Sequence, residues 1–166
     1  MNVSSARGPS IPKKAPMSAM ITYKGTVYPW HCDHMGHMNV MWYVGKFDEA
    51  TWHVFARIGL TPSRLREGER GMAAVQQNIT YKRELIAGDI VEIESRILEV
   101  REKVLRFSHE MRNAETGEIA AICELTGVYM DRRLRKSCAF PNEIGRAAQA
   151  LVNEADITRR PDSTRR

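Results

Sequence analysis

One short segment early in the chain combines residue types that can act on a carbonyl group. Residues 30–39 have the sequence Trp-His-Cys-Asp-His-Met-Gly-His-Met-Asn and include a single carboxylate, Asp33. Gly36 permits a tight turn, and Asn39 is a good N-cap for the apolar run that begins at Val40. The exposed amides of a helix N-terminus carry partial positive charge and can polarise a carbonyl. A carboxylate beside such amides predicts acyl chemistry.

The chemical role of Asp33 has two possible forms. An aspartate with the ordinary pKa of ~3.9 is a weak base at neutral pH. Asp33 must therefore have its pKa raised by burial and activate water, or else attack the carbonyl directly. The sequence leaves both routes open. It also leaves open a purely local role, in which Asp33 accepts hydrogen bonds from backbone amides of a turn.

The same segment contains several potential metal ligands, namely His31, Cys32, Asp33, His34 and His37. Three-residue steps would align the histidines only on a helix, whereas Gly36 and Pro29 indicate a loop. We therefore predict no metal site. We expect His37 to orient the loop through hydrogen bonds, and His31 and His34 to be solvated.

Composition favours one globular domain. The chain has 166 residues, of which 43% are hydrophobic and 27% charged, enough for a single core. It contains no apolar run long enough to span a bilayer and no secretory signal, so we expect no membrane association. Three widely spaced cysteines argue against a disulfide framework. A cytoplasmic protein is the simplest expectation.

The positive charge is concentrated at the two ends of the chain. Of the net charge of +5, residues 1–18 contribute +3 and residues 154–166 contribute +1, which leaves +1 for the body. Such a body lacks the basic face of a nucleic-acid-binding module, so we predict no nucleic-acid partner. We interpret 1–18 as a disordered basic leader, 19–153 as one domain and 154–166 as a frayed basic tail.

Hydrophobic periodicity predicts one strand, one long helix and then four strands. Residues 20–29 favour a strand, and apolar residues from Val40 to Ile58 recur at helical spacing before Gly59. Residues 61–70 form a polar connector with one short helical turn. The segments 72–81, 89–100, 103–113 and 118–130 have strand character, and a short helix is expected within 141–153. Consecutive strands after a single helix indicate an α+β arrangement with an antiparallel sheet packed on that helix.

Several of these residues resemble a known family. The run Asp-His-Met-Gly-His-Met-Asn at 33–39, followed by Tyr43 and by Glu49-Ala50, is similar to the motif of the 4-hydroxybenzoyl-CoA thioesterase family of hotdog-fold proteins. Residues 81–85 and 88–91 also resemble the segment that these proteins carry between their second and third strands. The resemblance covers roughly residues 20 to 135.

The resemblance implies a hotdog fold, in which a five-stranded antiparallel sheet wraps around the long central helix. It also implies a homodimer or homotetramer with acyl-CoA bound at the subunit interface. Asp33 would be the catalytic carboxylate, and the backbone N–H of Val40 would polarise the thioester carbonyl, with Gly36, His37 and Asn39 setting the geometry. No cofactor is expected, because coenzyme A is part of the substrate.

Other residues are secondary candidates for the site. Glu49 is the alternative catalytic carboxylate, because some hotdog thioesterases use an acidic residue on the central helix. Tyr43 is a candidate for substrate binding. Basic side chains suit the phosphates of coenzyme A, and the candidates are Lys82, Arg83, Arg101, Lys103, Arg132 and Arg133.

Three further functions compete with acyl-CoA hydrolysis. A hydratase of the same fold is disfavoured, because its motif places Asn-Pro after the aspartate, whereas His34-Met35 follows Asp33 here. A non-catalytic acyl-CoA sensor would need an output element that neither tail provides. An acyl carrier protein in place of coenzyme A remains an alternative thiol carrier, since an acidic partner suits a basic surface.

Overall fold

The computed structural model describes the backbone of residues 20–159 and the side chains of residues 20–152. The predicted leader lies outside the described residues, as do residues 160–166 of the predicted tail. The strands are β1 (Met20–Thr26), β2 (Arg70–Tyr81), β3 (Ile90–Val100), β4 (Val104–Asn113), β5 (Ile119–Asp131) and β6 (Lys136–Ser137). The α-helices are α1 (Val40–Arg57), α2 (Pro62–Glu67) and α3 (Asn142–Arg159), and a 3-10 turn spans Pro29–His31.

The strands form one antiparallel sheet in the order β1-β3-β4-β5-β2, and the two-residue β6 pairs with the end of β5. Because β2 ends this order, its second edge pairs with no strand among the described residues. Alternate residues along β4 and β5 are buried, as expected for strands with one face on a core. The predicted α+β layer arrangement is confirmed.

The core lies between α1 and the sheet. Phe47, Ala50 and Val54 of α1 are 0–1% exposed. The predicted apolar face is correct for Phe47, Phe55 and Ile58, which are buried, but wrong for Val40 and Val44 in the first turns of α1, which are 56% and 40% exposed. Phe107 of β4 is also 1% exposed and packs edge-on against Phe55, with ring centroids 5.8 Å apart. Burial of large aromatic side chains fixes α1, and with it the position of its N-terminus.

A chain of polar side chains crosses this core. The His109 ring is fully buried, with Nδ1 2.5 Å from Ser95 Oγ and Nε2 2.9 Å from Thr51 Oγ1. Ser95 Oγ lies 2.6 Å from Thr22 Oγ1, and the Thr51 hydroxyl donates to the Phe47 carbonyl at 2.9 Å. The network therefore connects α1 to β1, β3 and β4, and each of its buried polar side chains has a hydrogen-bond partner inside the core.

Most predicted elements lie within two residues of their observed bounds. The helix predicted for 40–58 ends at Arg57, and Asn39 caps it as expected. The C-terminal helix is longer than the predicted short one, since α3 continues to Arg159, past the predicted domain end at 153. Hydrophobic periodicity did not predict the 3-10 turn or β6, because both are too short to show a periodic pattern.

Gly59 allows the chain to turn sharply after α1. Its φ is +90°, and an added Cβ would lie 3.1 Å from Ile144 Cδ1 of α3. We expect Gly59→Ala to lower the free energy of unfolding by about 1–2 kcal/mol, because an L-residue is disfavoured in this backbone conformation. Chemical denaturation measures the change.

Gly145→Ala is the matched control for this substitution. Gly145 lies within α3, and an added Cβ would have no neighbour within 4 Å. Alanine there should stabilise the helix by up to about 1 kcal/mol. Equal effects of the two substitutions would contradict the role assigned to the Gly59 conformation.

Candidate active site

The loop before α1 is a closed turn. Cys32 and Met38 form an isolated antiparallel bridge, and the Asp33 amide donates to the His37 carbonyl at 3.1 Å. The Gly36 amide donates to the Asp33 carbonyl at 3.0 Å, and Gly36 has a φ of +83°. Glycine adopts this conformation without a Cβ penalty, which explains its place in the turn.

Both carboxylate oxygens of Asp33 accept hydrogen bonds within this loop. Oδ1 accepts from the Met35 amide at 2.9 Å, and Oδ2 accepts from Asn39 Nδ2 at 3.0 Å. These two bonds, first that of Met35 and then that of Asn39, hold the pKa of Asp33 below its ordinary value. Asp33 is therefore ionised at neutral pH and has a fixed orientation.

Asn39 joins this carboxylate to the start of α1. Its Oδ1 accepts from the Met41 amide at 3.0 Å, and its carbonyl accepts from the Trp42 amide at 2.9 Å. The Val40 amide lacks an acceptor among the described residues, and Val40 is 56% exposed. The Val40 N–H, at the positive end of the 18-residue helix α1, is thus left open to a ligand. Val40 directly follows Asn39, whose side-chain amide binds Asp33.

An open cavity of about 360 Å³ lies beside this helix end. Its walls come from the loop, the start of α1 and the end of β2, namely His37, Met38, Val40, Tyr43, Tyr81, Lys82, Arg83 and Glu84. Five of the residues predicted for the site therefore share one cavity: His37, Val40, Tyr43, Lys82 and Arg83. Asp33, Gly36 and Asn39 lie in the adjoining loop.

Tyr43 forms part of the inner wall of this cavity. It is 4% exposed, its hydroxyl donates to the Arg83 carbonyl at 3.4 Å, and its ring meets Tyr81 edge-on at 5.2 Å. Burial raises its pKa to about 12, so the phenol stays protonated at neutral pH. Lys82 and Arg83 are exposed at the cavity mouth, and Arg83 Nε lies 3.8 Å from a Glu118 oxygen.

The three loop histidines have different surroundings. His37 Nε2 lies 3.5 Å from Glu84 Oε1, which connects the loop to the segment after β2. Sequence reasoning missed Glu84, because no local pattern marks a contact between residues so far apart in the chain. His34 is exposed, as expected. In the described part of the chain, His, Cys, Asp and Glu side chains form no cluster of three or more suited to a metal ion.

The prediction that His31 is solvated is wrong. The 3-10 turn directs its ring inward, where it is 8% exposed and 4.3 Å from the Trp42 ring. Its Nδ1 accepts a hydrogen bond from the Tyr28 amide at 3.1 Å. Burial, and then the charge of Lys46, lowers the pKa of His31. His31 is a neutral residue that packs beneath the loop.

Glu49 lies apart from the loop carboxylate. It is exposed and nine residues after Val40, so it is about 13–14 Å further along the helix axis. The structure brings Asp33, rather than Glu49, to the helix N-terminus.

The two roles of Asn39 can be separated by substitution. In Asn39→Ser the hydroxyl can still cap α1, but the bond to Asp33 Oδ2 is lost. We expect the pKa of Asp33 to rise towards its ordinary value, since that bond lowers it. The carboxyl resonance of Asp33, followed by NMR across acidic pH, measures the change. An unchanged pKa in the folded variant would show that Asn39 acts as a cap alone.

The antiparallel sheet packed around α1 defines the class of fold, a hotdog fold. A family model described as the thioesterase-like superfamily matches residues 27–148, and the chain belongs to that superfamily. The solved structure of a hypothetical protein from Staphylococcus aureus, in complex with CoA, has the same fold. It aligns with a TM-score of 0.76 at 20% identity, over 92% of this chain and 94% of that one. The predicted family and fold are therefore confirmed.

Two curated relatives are also thioesterases by name. The L-carnitine dehydrogenase/betainyl-CoA thioesterase of Agrobacterium fabrum is 29% identical over 119 residues, which are 72% of this chain. The chain spans only 24% of the length of that relative. The betainyl-CoA thioesterase of Pseudomonas aeruginosa is 24% identical over 133 residues, covering 80% of this chain and 84% of that protein.

None of the helices in the described part of the chain is both long enough and apolar enough to cross a membrane.

Proposed function

We propose that this protein hydrolyses acyl-CoA thioesters, with Asp33 acting on a carbonyl held at the Val40 amide. The proposal rests on two hydrogen bonds of the Asn39 side chain. Its Oδ1 accepts from the Met41 amide at the start of α1, and its Nδ2 donates to the Asp33 carboxylate. An ionised carboxylate and a free helix amide are thereby held in one rigid unit. Such a unit supplies both a nucleophile for the thioester carbon and a hydrogen-bond donor that stabilises negative charge on the thioester oxygen.

The ionisation of Asp33 supports direct attack over base catalysis. Its pKa is lowered rather than raised, so the carboxylate is a weak base but fully available as a nucleophile at neutral pH. In this route a carboxylate oxygen adds to the thioester carbon, and the C–S bond breaks to release the coenzyme A thiolate, which takes up a proton. Water then opens the mixed anhydride, which releases the free acid and restores Asp33.

The acyl group would enter from an exposed aromatic region next to the loop. Tyr28 and Trp30 stack with ring centroids 4.5 Å apart and are 47% and 66% exposed. Aromatic faces attract quaternary ammonium groups, and two relatives are named for betainyl-CoA. Betainyl-CoA is therefore the first cationic substrate for trial, beside short, long and aromatic acyl chains.

We further propose that the protein acts in the cytoplasm as a homodimer or a homotetramer, without a cofactor. All three cysteines are free, which suits a reducing compartment. The first turns of α1 expose Val40, Met41 and Val44, each at least 40% accessible. Clustered apolar side chains of this kind are typical of surfaces that a partner covers.

A panel of acyl-CoA esters tests the proposed function. Thiol release from at least one ester, at a rate proportional to enzyme concentration, is the expected result. Binding of acyl-CoA without thiol release from any ester would favour a non-catalytic sensor. Hydrolysis of acyl esters of an acyl carrier protein alone would identify that protein as the thiol carrier.

A further inference from the structure

The second step of the proposed hydrolysis needs a base other than Asp33. Once Asp33 carries the acyl group as a mixed anhydride, it has no free carboxylate, so another side chain must take a proton from the attacking water. The cavity beside the start of α1 contains six titratable side chains, those of His37, Tyr43, Tyr81, Lys82, Arg83 and Glu84.

Four of these six groups are unsuited to that task. Burial raises the pKa of Tyr43 to about 12 and also raises the pKa of Tyr81, so both phenols stay protonated at neutral pH. Charged lysine and arginine side chains have donors but no acceptor, which excludes the two basic residues at the cavity mouth. His37 and Glu84 are the two groups that remain.

His37 and Glu84 lie in contact with each other. His37 Nε2 is 3.5 Å from Glu84 Oε1, so a small closing movement would let the imidazole donate a hydrogen bond to the carboxylate. Hydrogen bonds between catalytic groups are often long before substrate binds, and they shorten in the complex. A neutral imidazole that donates Nε2–H keeps its lone pair on Nδ1, which can accept a proton. The two residues thus have the arrangement of a base and the carboxylate that orients it.

The backbone holds both residues in place, although the Glu84 side chain is 75% exposed. The Met38 amide donates to the Leu85 carbonyl at 2.7 Å, and Leu85 is 1% exposed. The Asp33 amide donates to the His37 carbonyl at 3.1 Å. The contact between imidazole and carboxylate therefore joins two segments that are each anchored within one residue of it.

His37 also lies close to the carboxylate that would carry the acyl group. The pKa of Asp33 is lowered first by the hydrogen bonds from Met35 and Asn39, and the positive charge of protonated His37 is a further cause. His34 has a smaller effect of the same kind, but it is exposed and lies outside the residues that line the cavity. Of these two histidines, His37 is the one that both influences Asp33 and faces the cavity.

From this arrangement we infer that Glu84 positions His37 as the general base that hydrolyses the acyl-Asp33 anhydride. The inference rests on the proposed hydrolysis by direct attack. His37 Nδ1 takes one proton from a water molecule, and the oxygen of that water adds to the acyl carbon. The bond between this carbon and the Asp33 oxygen then breaks, which leaves Asp33 as a carboxylate and the product as a free acid. The imidazolium returns its proton to solvent through the open cavity.

The time course of thiol release tests the base. In His37→Ala the attack by Asp33 is retained, so we expect a burst of about one thiol per active site, followed by turnover at least about a hundredfold slower than in the wild type. Free imidazole should restore part of the slow rate, because it can enter the space left by the side chain. His53→Ala, at an exposed histidine of α1, is the matched control and should keep wild-type turnover. Loss of the burst together with turnover would overturn the inference, since His37 would then support the loop or the first step.

Replacement of the carboxylate tests the positioning residue. We expect Glu84→Ala to lower kcat at least about tenfold with little change in KM and with the burst retained, because the imidazole loses its orientation rather than its basic nitrogen. Glu84→Asp should recover part of the rate. Glu115→Ala, at an exposed glutamate in the turn between β4 and β5, is the matched control and should match the wild type. A wild-type kcat in Glu84→Ala would overturn the role of Glu84.

Nitrogen NMR of the His37 ring keeps this test separate from the proposed function, because it needs no ester. In the wild type the neutral ring should be almost entirely the Nε2–H tautomer, and Glu84→Ala should admit a measurable share of the Nδ1–H form. Identical ring spectra in the two proteins would overturn the pairing, whether or not any ester is hydrolysed. Absence of hydrolysis by the wild type would instead overturn the proposed function, and with it the role of His37 as a base.

Discussion

Asp33→Asn should reduce the kcat for acyl-CoA hydrolysis at least about a hundredfold while leaving the fold intact. Asparagine has nearly the same shape as aspartate but lacks its negative charge, so it can neither attack a thioester carbonyl nor take a proton from water. Its amide oxygen can still accept the hydrogen bond from the Met35 amide that orients the loop. Steady-state thiol release measures the rate, and circular dichroism with a thermal melt checks the fold.

Two matched substitutions complete this experiment. Asp48→Asn, at an exposed aspartate of α1, removes the same charge outside the loop and should retain full activity. Glu49→Gln removes the alternative catalytic carboxylate. If Glu49→Gln abolishes hydrolysis and Asp33→Asn does not, the catalytic carboxylate is Glu49 and the assignment of Asp33 is wrong.

The second large effect concerns pH and the buried His109. Burial lowers its pKa from 6.5 to about 3 in the folded protein, so the unfolded chain binds one more proton between these values. The contribution of neutral His109 to the free energy of unfolding is therefore fully present above pH 6.5. It is lost as pH falls towards 3, because the unfolded chain takes up the proton first. We expect the free energy of unfolding to decrease by roughly 2–3 kcal/mol between pH 6.5 and 4.5, at about 1.4 kcal/mol per pH unit.

Denaturant titrations at several pH values measure this slope. His109→Gln removes the titrating group and should flatten most of the dependence in that window, whatever its effect at neutral pH. Part of the slope should remain, because the pKa of His31 is also lowered by burial. A full slope in the folded His109→Gln variant would contradict the assignment.

Local sequence patterns predicted much of the fold correctly. The helix that begins at Val40, its Asn39 cap, the turn at Gly36 and the four strands after residue 70 were all visible in short windows of the chain. Each depends on local rules, namely hydrophobic periodicity, capping and the freedom of glycine at positive φ. The loop of the candidate site was predictable for the same reason, since Asp33, Gly36 and Asn39 lie within seven residues of one another.

Contacts between distant segments could not be predicted in this way. The contact of His37 with Glu84, the buried position of His31 and the network around His109 each join residues that no local pattern connects. The cavity beside the start of α1 likewise depends on the meeting of that helix with the end of β2.

Local patterns were therefore enough for most helices and strands, for the capped turn that holds Asp33 and for the family motif. Only the folded chain shows that His31 is buried and which side chains line the cavity beside α1. Caps and turns are set by backbone preferences over a few residues. Burial and long-range charge pairing are set by how the sheet closes around α1, and they exist only once the strands have taken their order.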